Sequence, residues 1–208
     1  ADAALKEFDD GLAPRLAKWE ESAAESTQWI ALEPGELKAT NGSKLEKRDG
    51  GVVFASGKLE RTVYTVNADT KLSGITGVRL ELLADDKLPK KGPGRNDDGN
   101  FVLTEFALKA IATGEGQGRK TTKGAFAEAK ADFSQKNFEA KKAVDGKVDN
   151  SGWATDPKIG TDRTAIFIPK ETFGAEGGSR LIFTLNQNYN SKKHAIGKFR
   201  LLVTTDEK

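Results

Sequence analysis

From Trp29 onward, apolar residues recur at every second position in short runs, and clusters of glycine, asparagine, aspartate and proline separate the runs. A period of two places alternate side chains on opposite faces of an extended strand, and the separating residues favour turns. The alternation is clearest in 78–82, where three apolar side chains face one side while Arg79 and Glu81 face the other. Runs of this kind occupy 63–66, 78–83, 101–108, 164–168, 180–185 and 198–205. The pattern predicts an all-β, antiparallel β-sandwich in which one face of each sheet covers a core.

The same alternation predicts which side chains are buried. With the apolar face of each run turned inward, the core is expected to contain Val78, Leu80, Leu82, Val102, Phe106, Leu108, Ile166, Ile168, Phe183, Phe199 and Leu201. Trp29 and Trp153 adjoin strand-like runs, so core packing is the expectation for both tryptophans. A length of 208 residues suits one sandwich of this kind.

The first 26 residues follow a different pattern. Apolar residues recur there at steps of three and four, which is the spacing of a helical stripe, at Leu5, Phe8, Leu12, Leu16 and Trp19. A glycine and a proline interrupt the stripe. We therefore expect a short, broken helical lead over 1–26 and a single β-sandwich domain over 27–208. Its two halves, 27–112 and 125–208, are expected to be joined by the glycine-rich linker 113–124.

Composition excludes several classes of function. The 33 basic and 31 acidic residues give a net charge of only +2, which disfavours nucleic acid and anionic membranes as partners. Apolar runs are too short to insert into a bilayer, which needs about 18 residues. The sequence has no cysteine, so disulfides, thiolate metal sites and c-type haem attachment within it are excluded. Because it starts at Ala1 and has no methionine, we expect a processed or excised fragment that is monomeric.

Catalytic motifs do not emerge from the sequence. His194 is the only histidine, which excludes a zinc site built from several histidines. A Gly-x-Ser-x-Gly elbow is absent, and the glycine-rich stretch 113–124 lacks the spacing of a phosphate-binding loop. We therefore expect a protein that is not an enzyme.

The stretch GPGRNDDGNF, residues 92–101, lies between two predicted strands and combines glycines and a proline with polar side chains. A turn explains its Asp-Gly pair, but leaves Arg95, Asn96 and Asn100 without a role. Glycine and proline fix the backbone path, so these three side chains are predicted to be held in place as ligand-binding groups.

Two roles for Arg95 remain open. Its guanidinium can clamp a carboxylate or sulfate of an acidic sugar, or it can pair inside the protein with Asp97, Asp98 or Glu105 and lock the loop. The internal pair is the simpler alternative, because acids are close by in sequence.

A second candidate segment is NQNYNSKKH, residues 186–194. It offers side-chain amides next to a tyrosine, and sugars are bound by amides that meet hydroxyl groups and by aromatic faces that meet the apolar ring. We predict Asn188, Tyr189 and His194 as ligand-binding residues. An ordinary polar hairpin loop is the alternative.

Five segments carry a family resemblance, WIALEP, ASG, YTV, ITGVRLELLADDKLPKKGPGRNDDGNFVLTEF and HAIGKFRLLVTT. Over most of 15–205 the chain resembles the non-catalytic β-domain of large secreted planctomycete proteins that also carry cytochrome-type domains. The resemblance implies a bacterial protein that is secreted, periplasmic or on the cell surface. It also implies neighbouring domains in a longer chain, and complex polysaccharides as the material on which such proteins act.

A looser resemblance concerns AKKAVDGKVDNSGWAT (140–155) and LTEFALKA (103–110). They are similar to two segments of discoidin-like, galactose-binding jelly rolls, in which a structural calcium lies between them. The resemblance implies that Glu105, Asp145 and Ser151 hold calcium through hard oxygen ligands. In this sequence the two segments occur in permuted order, and the spacing from aspartate to tryptophan is one residue longer.

Together these features predict a jelly-roll-like sandwich that acts as a carbohydrate-binding module for a polysaccharide or oligosaccharide. The alternative is a structural or protein-interaction domain that spaces its neighbours. An exposed Tyr189 beside open amides would favour the first, and a broad apolar surface patch without a groove would favour the second.

Overall fold

The computed structural model describes residues 27–114, 120–191 and 193–206. The strands in these ranges are β1 (Ile30–Ala31), β2 (Leu37–Ala39), β3 (Ser43–Arg48), β4 (Val52–Gly57), β5 (Thr62–Thr70), β6 (Gly77–Leu82), β7 (Glu105–Ala112), β8 (Thr121–Gly124), β9 (Phe126–Ala131), β10 (Arg163–Pro169), β11 (Ser179–Gln187) and β12 (Lys198–Thr204). Single 3-10 turns occur at Asp49–Gly51, Pro89–Lys91 and Ala140–Ala143. None of the helical segments described could cross a membrane. The predicted helical lead, 1–26, lies outside the described residues.

The strands form two antiparallel sheets, which confirms the prediction of an all-β sandwich. The larger sheet has the order β3-β4-β12-β6-β10-β9. On the side of β12 away from β6, β4 pairs with the first residues of β12 and β1 pairs with Leu202 and Val203. The smaller sheet has the order β2-β5-β11-β7-β8. Strand pairing within each sheet satisfies the backbone hydrogen bonds of its central strands.

Both sheets contain strands from either side of the predicted linker. In the larger sheet β6 lies between β12 and β10, and in the smaller sheet β11 lies between β5 and β7. The linker prediction 113–124 is wrong at its end, because Thr121–Gly124 forms β8 and pairs with β7. Its threonines suit an edge strand, although the glycine count of the segment suggested a loop.

Aromatic side chains of both sheets meet in one core. The ring of Phe106 lies 4.4 Å from that of Phe167 and 6.0 Å from that of Phe183, measured between centroids. Trp153 is fully buried, packs edge-on against Phe101 at 5.1 Å and donates its indole N–H to a backbone carbonyl at 3.0 Å. Trp29, in contrast, is only half-buried, so the core expectation holds for Trp153 alone.

The predicted core is confirmed except at two positions in β10. Ile166 and Ile168 are half-buried on the outer face, and Ala165 and Phe167 point inward instead. Four consecutive residues of this strand are apolar, so the alternation of apolar and polar residues could not show which face of the strand is buried. Phe167 marks the inner face of the strand, because its ring packs at a tilt against that of Phe106.

Residues 101–104, predicted as the start of a strand, form an extended connection before β7. Leu103 forms an isolated bridge with Trp153, and the N–H of Thr104 donates to the carbonyl of Asn186 at 2.8 Å. The connection therefore joins the loop 92–101 to the end of β11, where the predicted ligand-binding residues lie.

Candidate functional site

The loop 92–101 is tied to the segment that precedes β12. Gly94 bridges Ile196, and the N–H of Arg95 donates to the carbonyl of Ala195 at 2.7 Å. A Cβ atom at Gly94 would lie 1.9 Å from the carbonyl oxygen of Asn100, and Gly99 has a φ of +81°. Side chains larger than glycine are excluded at the first position by contact and disfavoured at the second by backbone strain. Backbone hydrogen bonds and close packing therefore hold the loop against the segment that precedes β12.

Arg95 is buried, with 9% of its surface exposed, and it faces the β3–β4 hairpin. Its Nη2 donates to the carbonyl of Gly57 at 2.6 Å, and its Nη1 lies 3.5 Å from the hydroxyl of Ser43. The predicted pairing with Asp97, Asp98 or Glu105 is wrong, since no ion pair of Arg95 occurs within the described ranges. The guanidinium turns toward the Gly57 carbonyl and the Ser43 hydroxyl, while Asp97 and Asp98 face Lys193 and His194.

The Arg95 guanidinium is one member of a buried polar group around the hydroxyl of Tyr64. That hydroxyl donates to the carbonyl of Ile196 at 3.1 Å. Burial raises the pKa of Tyr64, and this outweighs the lowering effect of Arg95 and of hydrogen bonds from Ser43 and Gln187. Tyr64 therefore stays neutral, and Arg95 acts as a buried clamp between the loop and the β3–β4 hairpin.

Asn100 is buried as well, and its side chain joins two other segments. Its Nδ2 donates to Gln135 Oε1 at 3.2 Å, and its Oδ1 accepts the N–H of Thr155 at 3.1 Å. A ligand could reach this amide only by breaking those bonds, so we leave Asn100 and Arg95 out of the binding surface. Asn96 is half-buried at the rim of the loop and remains in it.

Tyr189 is half-buried and packs edge-on against two rings. Its centroid lies 5.7 Å from that of Phe138 and 5.3 Å from that of His194, with interplanar angles of 83° and 86°. Arg61 donates from Nε to the carbonyl of Tyr189 at 3.1 Å, which holds the backbone of the loop. Edge-on packing fixes the ring while part of its surface stays accessible.

Two polar residues adjoin Tyr189, Asn188 in sequence and His194 through contact of the two rings. Asn188 is half-buried, and its N–H donates to the hydroxyl of Thr104 at 3.2 Å, so its side-chain amide is not needed to hold the backbone. His194 Nε2 lies 4.0 Å from Asp98 Oδ2, and its buried Nδ1 has no hydrogen-bond partner in the described part of the chain. Tyr189 therefore contacts His194, and Asp98 lies next to His194. The ligand-binding role of Asn188, Tyr189 and His194 stays a prediction.

Asp98 is held in its charged form. Burial alone would raise its pKa, but the N–H of Asn100, the side chain of Asn96 and the charges of His194 and Lys90 together lower the pKa below its ordinary value. An ionised carboxylate accepts hydrogen bonds and does not supply a proton. Beside an aromatic ring it suits hydroxyl groups of a ligand.

The three predicted calcium ligands are brought together only in part. Glu105 Oε2 accepts the N–H of Gly146 at 3.2 Å, and Asp145 is close enough for its charge to act on Glu105. Burial, with a smaller contribution from Asp145, raises the pKa of Glu105 to about 7 despite the Gly146 hydrogen bond. The Ser151 hydroxyl instead donates to Asp149 Oδ1 at 2.6 Å.

Glu105 and Asp145 offer hard oxygen atoms of the kind that calcium prefers, and a cation would relieve their repulsion. Ser151 makes no hydrogen bond to either of them in the ranges described. No group of three or more histidine, cysteine, aspartate or glutamate side chains could hold a metal ion in the part of the chain that the structure describes. The donor set is thus a carboxylate pair that would need backbone and water oxygens to complete a calcium shell.

The sequence missed Phe138 and Arg61, which both contact Tyr189. They lie 51 and 128 positions away from it. Neither is in a motif, and only the folded chain reveals that they support the same loop.

Comparison with known proteins gave no match to a protein-family model and no match to a curated protein. Among solved structures, the chain is similar to a carbohydrate-binding module of the β-sandwich superfamily, with a TM-score of 0.30, 8% identity and coverage of 82% of this chain and 54% of that one. It is similar to an exo-β-1,3-galactanase from Phanerochaete chrysosporium, with a TM-score of 0.29, 11% identity and coverage of 86% and 29%. For a low-affinity xylan-binding module from Roseburia intestinalis, the TM-score is 0.20, the identity 10% and the coverage 77% and 95%.

The chain thus spans about half the length of the first of these structures and under a third of the second. At such TM-scores the likeness does not identify a ligand or an activity. The function is therefore inferred from the geometry of the site.

Proposed function

We propose that this protein is a non-catalytic carbohydrate-binding module that holds a sugar of a polysaccharide or oligosaccharide against Tyr189. The observation that carries the proposal is the fixed, partly exposed ring of Tyr189 between Phe138 and His194. The apolar face of a sugar would pack on this ring, and its hydroxyl groups would meet the amides of Asn188 and Asn96 and the carboxylate of Asp98.

The charged state of Asp98 suits it to accept hydrogen bonds from a sugar. A glycoside hydrolase needs one carboxyl group that is protonated near neutral pH, to donate to the leaving oxygen. The lowered pKa of Asp98 makes it an acceptor only. The Asp98 carboxylate, 4.0 Å from His194, is therefore suited to recognition.

The alternative, a scaffold domain that docks through an apolar patch, is less well supported. Within the described residues the exposed large apolar side chains are Ile30 and Val148. The first belongs to β1 and the second to the loop before Trp153, so they are two separate positions. A broad apolar patch would be expected to bring several such side chains together.

A glycan array with the whole chain tests the proposal. We expect binding to one class of neutral glycan, loss of that binding in Tyr189→Ala and retention of most of it in Tyr189→Phe, which keeps the ring. Val148→Ala is the matched control, because it removes an exposed apolar side chain outside the site. Binding that is unchanged in Tyr189→Ala would contradict the proposal, and so would release of reducing sugar from the bound glycan by the wild-type chain.

We further propose that calcium binds at Glu105 and Asp145 and stabilises the fold near the sugar site. Glu105 is the residue after Thr104, whose hydroxyl accepts the N–H of Asn188. A ligand held only by the folded state raises the melting temperature by mass action. We expect calcium to raise the melting temperature of the wild-type chain and not that of Glu105→Gln. An equal rise in melting temperature for the wild-type chain and Glu105→Gln would contradict the calcium proposal and leave the sugar-binding proposal untouched.

As for cellular context, we propose a secreted, periplasmic or cell-surface protein with further domains, in which this module would keep its neighbours on a polysaccharide. Detection of the parent protein in cell-envelope or culture fractions tests this. Detection in the cytoplasm alone would contradict it.

A further inference from the structure

Three charged side chains lie together on the outer face of the larger sheet. Leu80 and Leu82 of β6 are fully buried, so the alternate residues Arg79 and Glu81 point away from the core. Arg200 of β12 lies directly opposite Glu81 and therefore points outward as well. Because β6 pairs with β12 on one side and with β10 on the other, the three side chains lie in the middle of the sheet.

The two guanidinium groups of this cluster share one carboxylate. Arg79 Nη2 lies 2.7 Å from Glu81 Oε1, and Arg200 Nε donates to Glu81 Oε2. Every other arginine that forms an ion pair in the described ranges contacts a carboxylate that no second cation contacts. These pairs are Arg180 with Asp69, Arg163 with Asp132, and Arg48 with Glu46. The cluster therefore carries one positive charge in excess.

Arg200 has free hydrogen-bond donors at the end of its side chain. Its Nε donates to Glu81, while its Nη1 and Nη2 donate to no group in the described part of the chain. The side chain is 37% exposed, so these two nitrogens can be reached from solvent. A guanidinium fork binds both oxygens of a carboxylate through two parallel hydrogen bonds. The free fork therefore suits a carboxylate of a ligand.

An aromatic ring lies on the same face, next to Arg79. Gly77 has the same outward direction as Arg79, and a Cβ atom at Gly77 would lie 3.2 Å from Cη2 of Trp29. The indole ring therefore covers Gly77 on the outer face of the sheet. The guanidinium carbon of Arg79 lies 5.9 Å from the centroid of the ring. Trp29 is half-buried, so part of its ring stays accessible.

We propose that this face binds an acidic glycan, one that carries the carboxylates of uronic acids. The indole of Trp29 packs on the apolar face of one sugar, the fork of Arg200 clamps a carboxylate, and Arg79 between them donates to hydroxyl groups. Gly77 and Glu81, beneath the two ends of the site, are four residues apart, which is about 13 Å along β6. The ligand is therefore an oligosaccharide segment and not a single sugar.

The charges along the face set the orientation of the glycan. The carboxylate of Asp206 accepts the N–H of Gln28, the residue before Trp29, at the end of the face away from Arg200. An anionic group of the ligand is therefore repelled at the Trp29 end and attracted at the Arg200 end. The ring that packs on Trp29 presents its apolar face, and the carboxylate of another sugar reaches Arg200.

The geometry favours a glycan over an acidic peptide. β6 and β12 both have neighbouring strands on their two sides, so this face offers no free backbone edge to which a peptide strand could add. A peptide would bind through its side chains alone. The site also lies on the larger sheet, whereas Tyr189 follows β11 of the smaller sheet, so it does not depend on the function proposed for Tyr189.

The test measures binding of polygalacturonate to the whole chain by isothermal titration calorimetry. Arg200→Lys keeps the charge beside Glu81 but lacks the fork, so we expect it to weaken binding about tenfold. Arg180→Lys is the matched control, because it makes the same change at an exposed arginine of the other sheet, and it should change binding by less than about twofold. Methyl-esterified polygalacturonate, which lacks the charges, should bind equally to Arg200→Lys and to the wild-type chain.

The aromatic part of the site is tested separately. Trp29→Ala should weaken binding of polygalacturonate by about fivefold or more, and Trp29→Phe should keep most of it. Trp29→Ala leaves the ion pairs of Glu81 intact, so it tests the site even where Arg200→Lys lowers the melting temperature. Unchanged binding in Trp29→Ala would overturn the proposal.

Three further results would overturn the proposal. One is equal affinity of Arg200→Lys and Arg180→Lys, and another is failure of the wild-type chain to bind polygalacturonate. Tighter binding of poly-glutamate than of polygalacturonate would assign the face to an acidic peptide instead. Tyr189→Ala should leave binding of polygalacturonate unchanged, so the two sites succeed or fail separately.

Discussion

The guanidinium of Arg95 donates a 2.6 Å hydrogen bond to the backbone carbonyl of Gly57, which ties the loop 92–101 to the end of the β3–β4 hairpin. Arg95 lies beside the neutral Tyr64 hydroxyl and has no acidic partner among the described residues. Its role is to hold the loop 92–101 to the β3–β4 hairpin.

Replacing this clamp should destabilise the fold. We expect Arg95→Ala to lower the free energy of unfolding by roughly 1–3 kcal/mol, because buried acceptors such as the Gly57 carbonyl lose their donor. Urea denaturation measures the change. Arg180→Ala is the control, since Arg180 forms an exposed ion pair with Asp69 and its loss should cost less than about 1 kcal/mol. Equal losses in the two variants would contradict the clamp.

The two asparagines of this loop should behave differently. Asn100→Ala removes a buried amide that joins Gln135 and Thr155, so we expect a loss of roughly 1–3 kcal/mol in stability. Asn96→Ala, at the rim, should change stability by less than about 0.5 kcal/mol but should weaken sugar binding. Calorimetry and glycan titration of both variants check this. A larger loss of stability in Asn96→Ala than in Asn100→Ala would contradict the structural role of Asn100 and the binding role of Asn96.

Stability should depend on pH through Glu105. Its pKa is about 7 in the folded chain against an ordinary value of 4.5, so the folded state holds this proton more tightly than the unfolded state. The resulting stabilisation is present below pH 4.5 and is lost as the pH rises to about 7. Glu105→Gln should flatten that part of the profile, measured by chemical denaturation with a chelator present. Glu128→Gln, at an exposed pair with Lys130, is the control and should keep the slope.

Lys109 of β7 and Lys123 of β8 lie directly opposite each other. Removing the repulsion between their charges should stabilise the chain in the absence of any ligand. We expect Lys123→Gln to raise the free energy of unfolding by about 0.2–1 kcal/mol at low salt, because it removes the charge opposite Lys109. The gain should shrink at high salt. Lys120→Gln is the matched control, since its cross-strand neighbour is Ala112. Thermal melts at two salt concentrations measure the effect, and a destabilised Lys123→Gln would contradict it.

The sequence predicted the strands with clear alternation and failed where alternation was ambiguous. Val78, Leu80 and Leu82 alternate with charged residues, and all three are fully buried. In β10 the neighbours Ile166 and Phe167 are both apolar, and only packing on Phe106 shows that Phe167 is the inner residue. β3 was missed because charged residues fill most of its positions.

The sequence could propose candidate site residues only where they are close along the chain. Asn188, Tyr189 and His194 fall within one short segment, so a local pattern could find them. The partner of Arg95 could not be predicted, because it is a backbone carbonyl and has no side-chain signature. Phe138 lies in the loop that precedes Trp153, and only the folded path of that loop brings its ring to Tyr189.

The most direct test of the central claim is a nuclear magnetic resonance titration of the labelled chain with the neutral oligosaccharide that binds best on the array. Sugar binding against Tyr189 predicts saturable shifts of backbone amides at Asn96, Asp98, Asn188, Tyr189 and His194, with those of β8 unchanged. Shifts confined to β8 and the 170–175 segment, or to the outer face of either sheet, would contradict the claim.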